Sequence, residues 1–313
     1  MSRPAGLASP ETPASGCTRP VFLYPLLLLL LLSTPLAAEP PPPSSLPPGV
    51  SRFIVTNSEF SVMHEMGHML IAELDLPVLG REEDAADQIG FMSLYLLYAG
   101  LPANELDARL LDIIDFWRLE WQRPKPVAEQ VPAWDSHPLD EQRYYNIACL
   151  VYGSNPDRLA WVPAVTGLPM GRALYCDQEF EQVRKAVAWI RDQHRRAAIQ
   201  GRPQIQVIYE TPPGGFPDAE LLIAQLRAND TLEILARRIG ELFAPPRALI
   251  LRMTGCGMPD AWYSLEAREL TFCYERLRHF RELGETLPRL QQPATAVQCS
   301  APPDEGGLTA PAC

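Results

Sequence analysis

Apolar positions in the stretch 57–74 recur at helical spacing. Phe60, Met63, Leu70 and Leu74 form a stripe that predicts a helix starting at Asn57 or Ser58, both good N-cap residues. Pro77 and Gly80 then predict a turn. Further helical patterns cover 82–98, 104–122, 139–152 and 177–198, with a proline-rich loop at 123–138. Gly201 to Pro203 marks a boundary, after which the pattern changes. Residues 205–209 and 248–252 read as strands, and 261–263 and 269–273 as a hairpin across 264–268. Helical spacing returns at 219–227 and 231–243. The expected fold class is therefore α+β and helix-rich.

The N-terminal stretch has a different character. Arg3 and Arg19 precede an apolar run at 21–32, and small residues follow to Ala37-Ala38. This order predicts a secretory signal peptide at 1–38, cleaved after Ala38. The apolar run is shorter than the about 20 residues of a membrane span, so no stable span is expected once it is removed. Residues 39–55 read as a proline-rich leader, 56–200 as a helical segment, 201–290 as a strand-bearing segment completing the fold, and 291–313 as a flexible tail. The expected location is secreted or periplasmic.

Composition narrows the function. Hydrophobic residues make up 47% and charged residues 21%, which excludes a disordered chain. A net charge of −11 excludes a general nucleic-acid binder. Export makes disulfides the expected fate of the six cysteines beyond Cys17. Nearest neighbours pair Cys149 with Cys176, Cys256 with Cys273, and Cys299 with Cys313. No C-x-x-C occurs, which disfavours a cysteine zinc site.

The chemistry concentrates in His64-Glu65-Met66-Gly67-His68. Residues i and i+4 of a helix share a face, so His64 and His68 can hold one metal ion. Glu65 lies about 100° round the helix, free to act as a base. A catalytic zinc site needs a third protein ligand and an open position. The longer motif with a third histidine is absent, because positions 71 and 74 are Ile71 and Leu74. Acids open the next helix at Glu82, Glu83, Asp84 and Asp87. The helix dipole favours acids there in any case. Glu83 and Asp87 are also i and i+4, so Glu83 can bind the metal while Asp87 accepts a hydrogen bond from a ligand histidine. Glu82 is the rival for the third ligand.

This combination resembles the zincin peptidases in which a glutamate from a second helix, carrying E-x-x-x-D, completes the site. A longer resemblance is to a bacterial metallopeptidase family whose domain is otherwise of unknown function. It rests on the stretch from Leu76 to Gln88, on His137-Pro138-Leu139-Asp140-Glu141-Gln142-Arg143-Tyr144-Tyr145-Asn146-Ile147-Ala148-Cys149, on Tyr152 to Pro156, and on Leu168 through Glu179. It covers about 56–190. It implies a metal-dependent hydrolase, supports the Cys149–Cys176 pair and names no substrate. In that family a segment with C-G, A-x-Y and C-Y-E precedes the active-site helix. Here Cys256-Gly257, Ala261-Trp262-Tyr263 and Cys273-Tyr274-Glu275 follow it. A permuted segment order is expected, with two independent domains as the alternative.

The expected activity is that of an exported hydrolase carrying Zn2+ on His64, His68 and Glu83, with Glu65 as general base and a peptide or protein as substrate. A binding or scaffold protein that kept the fold, or a hydrolase of a non-protein amide, are the alternatives. Candidate oxyanion donors are His137, Arg143, Tyr144 and Tyr145, with His137 foremost because Asp135 and Asp140 flank it. His194 and His279 lie on charged helical faces and are expected to be solvated. Trp117, Trp121 and Trp189 are expected in the core or along a groove.

Overall fold

Two prolines, rather than the polar pair at 57–58, start the first helix. In the computed structural model, which describes residues 45–132, 134–194, 205–214, 216, 218–228, 230–286 and 288–291, α1 spans Pro48–Glu73. Pro48 occupies its first position, where a missing N–H costs nothing and φ is already helical. The helix thus begins inside the segment expected to be a leader. Asn57 and Ser58 lie in its buried middle. The Asn57 amide donates to the carbonyls of Phe53 (2.9 Å) and Asp112 (3.1 Å), and Ser58 Oγ donates to that of Ile54 (2.7 Å). Their polar groups serve the core rather than a cap.

Helix α1 is buried round almost its whole circumference between Phe53 and Ile71. Such a helix has no solvent face and forms the centre of its fold. Around it pack α2 (Glu82–Leu97), α3 (Ala103–Gln122), α8 (Ala219–Arg227), α9 (Thr231–Phe243) and α10 (Tyr274–Thr286). Helix α4 (Asp140–Ser154) lies on α3, and α7 (Cys176–His194) lies on α2 and α4. Two short helices, α5 (Val162–Thr166) and α6 (Met170–Ala173), link α4 to α7. The extent of α10 was not expected from spacing. Its buried residues Tyr274, Leu277, Phe280 and Leu283 recur every third residue, but charges fill the positions between them.

Four strands complete the fold: β1 (Ile205–Tyr209), β2 (Leu249–Thr254), β3 (Ala261–Ser264) and β4 (Glu269–Cys273), in the order β1-β2-β4-β3. The pairs β1–β2 and β2–β4 are parallel. A parallel pair needs a long crossover, and α8 with α9 supplies it between β1 and β2. Strands β3 and β4 form an antiparallel hairpin in which Ala261 faces Phe272 and Ser264 faces Glu269. Strand β3 is an edge strand and packs on α1. Tyr263 Oη on β3 donates to Glu73 Oε1 on α1 at 2.7 Å, and Arg247 Nε donates to the same carboxylate at 2.8 Å. The helices and the mixed sheet belong to one compact unit, an α+β fold rich in helix.

Two disulfides brace this unit. Cys149–Cys176 joins α4 to the start of α7, and Cys256–Cys273 ties the β2–β3 loop to the end of β4. Cys299, Cys313 and residues 1–38, with the expected cleavage site after Ala38, lie outside the described residues. Among the described residues, no helix is long and apolar enough to cross a membrane. The Cys149–Cys176 bond closes a separation of 27 residues. On the chain-entropy account its loss costs about 3–4 kcal/mol. Urea unfolding of the Cys149→Ser/Cys176→Ser variant is therefore expected to show a loss of that size at unchanged helix content.

Candidate metal centre

The site depends on how closely α1 and α2 approach. A Cβ built on Gly67 would lie 2.8 Å from Ala86 Cα, and one on Gly90 would lie 2.9 Å from the His64 backbone nitrogen. Neither gap admits a side chain, so the two helices touch backbone to backbone along the motif. Short acids on α2 therefore reach histidines on α1.

Three side chains converge there. The Nε2 atoms of His64 and His68 are 3.3 Å apart. Glu83 places Oε2 3.3 Å from His64 Nε2 and Oε1 3.5 Å from His68 Nε2. The potential ligand atoms of these three residues all lie within 4.8 Å of one another. Glu82 faces the other way, with Oε1 2.8 Å from His68 Nδ1. The rivalry between Glu82 and Glu83 is thus divided by geometry: Glu83 lies between the two histidines and Glu82 behind one of them. Asp87 occupies the matching place behind His64, with Oδ1 2.8 Å from Nδ1.

Asp87 is itself held. Arg143 Nε donates to Asp87 Oδ2 at 2.8 Å, and a second guanidinium nitrogen donates to Oδ1. The guanidinium lies over the Trp117 ring, 3.7 Å from its centroid. Burial would raise the Asp87 carboxyl, but Arg143 and His64 outweigh it and hold the group below the usual carboxylate range. Burial likewise opposes ionisation of Glu83, and the close approach of the His64 and His68 imidazoles holds it well below that range. Burial alone would lower His68; hydrogen bonds to Glu83 and Glu82 prevail and raise it to about 9. Glu65 behaves oppositely: burial dominates and raises its carboxyl, against the lowering pull of His64, His68 and Arg276.

A divalent metal fits these residues. Glu83 Oε2 is buried with only the off-line contact to His64 Nε2 at 3.3 Å, an expensive state for a carboxylate oxygen. Two imidazole nitrogens point at the same place, and carboxylates surround them. The set is two nitrogens and one carboxylate, the donor type of a catalytic zinc site with an open position. A second cluster, Cys256, Cys273 and Glu275, offers no thiolate because its cysteines are bonded to each other.

His137 closes the site from the loop before α4. Its Nε2 lies 3.3 Å from Glu83 Oε1, and Asp135 Oδ1 lies 2.8 Å from its Nδ1. The ring is 53% exposed, which leaves it free to meet a ligand. Two expected donors are committed elsewhere. Tyr144 is buried and donates to the Thr166 carbonyl at 2.6 Å, and Arg143 holds Asp87. Tyr145 packs against Trp121 and Tyr144.

Two openings adjoin the centre. One, of about 370 Å³, is lined by Glu65, His68, Glu83 and His137 and by Trp262 and Tyr263 of β3. The other, of about 220 Å³, runs from His64 and Glu65 between α1, α3 and α10, past Phe116 and Trp117, to Arg276 and His279. His279 is therefore not a solvated surface residue: Nε2 meets Glu120 Oε1, and the ring is 21% exposed. Trp117 lines this cavity, whereas Trp121 and Trp189 are exposed. Arg276 is the residue that sequence reasoning missed. The one signal for it was its place directly after Cys273-Tyr274-Glu275; only the fold brings it to Ser61 on α1.

Residues 50–191 match the family model described as "Putative metallopeptidase". The matched stretch contains His64, Glu65, His68, Glu83, Asp87 and His137, and it leaves the sheet and α10 outside. This supports a metal-dependent peptidase in general. No curated protein and no solved structure matches the chain.

The close approach of α1 and α2 has a measurable consequence. Gly67→Val forces the helices apart against Ala86, an overpacking that costs about 1–3 kcal/mol. Chemical denaturation is expected to show a loss in that range, larger than for the same substitution at Gly80, where a Cβ meets open space.

Proposed function

We propose that this protein is an exported zinc-dependent peptidase. The observation that carries the reading is the convergence of His64 Nε2, His68 Nε2 and the Glu83 carboxylate, with an acid behind each histidine and Glu65 beside them. A hydrogen bond from Nδ1–H to Asp87 or Glu82 leaves each Nε2 lone pair facing inward, as metal ligation requires. His64, His68 and Glu83 are the proposed ligands. Zinc bound there supplies polarisation of the scissile carbonyl and a lowered pKa for the attacking water.

The protein's own groups do the rest. Glu65 takes a proton from the attacking water and passes it to the leaving nitrogen as the C–N bond breaks. Burial raises its carboxyl, which makes it a better base toward the attacking water. His137, oriented by Asp135, donates a hydrogen bond to the carbonyl oxygen as charge builds on it. Strand β3 carries an unpaired edge beside the centre, and an extended peptide can pair with such an edge. That edge favours a peptide over another amide. The two disulfides support an oxidising compartment, in keeping with the expected signal peptide.

The purified protein is expected to hold about one zinc per chain by elemental analysis. Glu83→Gln should lose the metal, whereas Glu82→Gln should weaken its binding by about 10–100-fold, the usual cost of removing a group that orients a ligand. Equal loss in both variants would count against Glu83 as ligand. Glu65→Gln should keep its zinc and lose peptide cleavage by at least about 100-fold. Full activity in that variant would sink the assignment of the base.

A further inference from the structure

The cavity on the α10 side of Glu65 holds a guanidinium, that of Arg276, whose fork no carboxylate fills directly. Arg276 Nε donates to Ser61 Oγ at 3.1 Å, and Nη1 donates to the Pro259 carbonyl at 3.4 Å. Among the described residues Arg276 forms no direct ion pair; Glu65 and Asp260, which line the same cavity, are the acids that act on it most, and they do so from a distance. The other arginines of the cavity are engaged: Arg123 with Glu120 at 2.9 Å and Glu129 at 2.8 Å, and Arg143 with Asp87. His279 is engaged with Glu120. A guanidinium is a fork of five donors that fits a carboxylate in bidentate fashion. Half-burying such a group with its fork unfilled is costly, and a ligand carboxylate would relieve that cost.

Its position indicates which part of a substrate it meets. Glu65 lines the same cavity as Arg276. Glu65 lines both openings, but His68, Glu83 and the β3 residues Trp262 and Tyr263 border only the larger one. With the acyl half of the substrate along β3, the leaving half, next to the base that protonates its nitrogen, extends into the Arg276 cavity. Phe116 and Phe280 flank the guanidinium, with ring centroids 6.0 and 5.5 Å from its Cζ. Their rings confine it and reduce the entropy lost when it pairs.

We infer that Arg276 is a substrate anchor that selects peptides bearing a carboxylate on the residue just beyond the scissile bond. This rests on the peptidase reading above. Two sources present that chemistry: the side chain of Glu or Asp, or the free C-terminus of a last residue. About 220 Å³ of space admits either.

The test uses the full zinc-loaded protein and matched peptides. In one arm the residue after the scissile bond is Glu or Gln in a C-terminally amidated peptide. In the other it is a terminal Ala, as free acid or as amide. At least one acid is expected to exceed its neutral partner in kcat/KM by about 10–100-fold, the size of a charge-assisted hydrogen bond. The arm showing the preference identifies the source. In Arg276→Gln the acid-to-neutral ratio should fall to about one, and in Arg276→Lys it should stay intermediate, because an ammonium keeps the charge without the fork. A role confined to positioning Glu65 would lower kcat for acid and neutral peptides alike and leave the ratio intact.

Equilibrium binding separates this inference from the peptidase reading. Glu-Ala-amide, Gln-Ala-amide, free alanine and alaninamide are titrated into the wild-type protein and into Arg276→Gln, with calorimetry as the readout. Tighter binding of an acid to the wild type, lost in Arg276→Gln, supports the anchor even if no peptide is cleaved. Equal binding of acids and neutral partners by the wild type overturns it, whatever the protein hydrolyses.

Discussion

Backbone contact between α1 and α2 is the constraint on which the rest of the structure depends. Gly67 against Ala86, and Gly90 against the backbone of residues 63–64, leave no room for a side chain between the helices. A carboxylate on a glutamate stem can bridge only a short gap. With ordinary side chains at the contact, helix axes stand 8–10 Å or so apart, and Glu83 could not lie between two histidines while Asp87 lies behind one of them. Glycine lowers helix propensity by about 1 kcal/mol, and at these positions that cost secures proximity. The same contact explains why α1 is buried on every side. Its motif face meets α2, and its other faces meet α3, α10 and the sheet.

Around that contact the charges form a connected series rather than isolated pairs. Trp117 supports Arg143, Arg143 supports Asp87, and Asp87 supports His64. Each link removes freedom from the next. A buried carboxylate is expensive alone, yet Asp87 stays ionised because a guanidinium and an imidazole face it. The arrangement also accounts for the fate of two expected oxyanion donors. The donors of Arg143 and Tyr144, neighbours on α4, are spent on Asp87 and Thr166. His137, on a loop and half exposed, keeps an unspent nitrogen face beside Glu83. The sheet then adds what the helices lack: an edge strand next to the centre and, through α10, a cationic wall to the cavity behind Glu65.

Much of this was legible in the chain because its signals are local. Two histidines four residues apart share a helical face whatever surrounds them, and Glu83 and Asp87 obey the same rule on the next helix. Strands at 205–209 and 269–273 announced themselves by alternation and by flanking breakers. Neighbouring cysteines 149 and 176, and 256 and 273, could pair within short loops, and they do. The start of α1 was misjudged because Asn57 and Ser58 look like caps. Their hydrogen bonds go to carbonyls one turn back and to α3 instead, and capping preference cannot distinguish the two uses.

What the sequence determined by itself is the inventory of side chains: two histidines one helical turn apart, a glutamate beside the first, acids one helix later and a fold of helices with a small sheet. Tertiary structure alone decided the orientation of that inventory. It turned Glu83 toward the histidines and Glu82 behind one of them, drew Arg143 onto Asp87, and brought Arg276 from more than two hundred positions away to the cavity beside Glu65. The reason is physical. Periodicity along one helix sets which residues share a face, but the rotation and separation of two helices depend on where side chains are missing, and here two glycines set both.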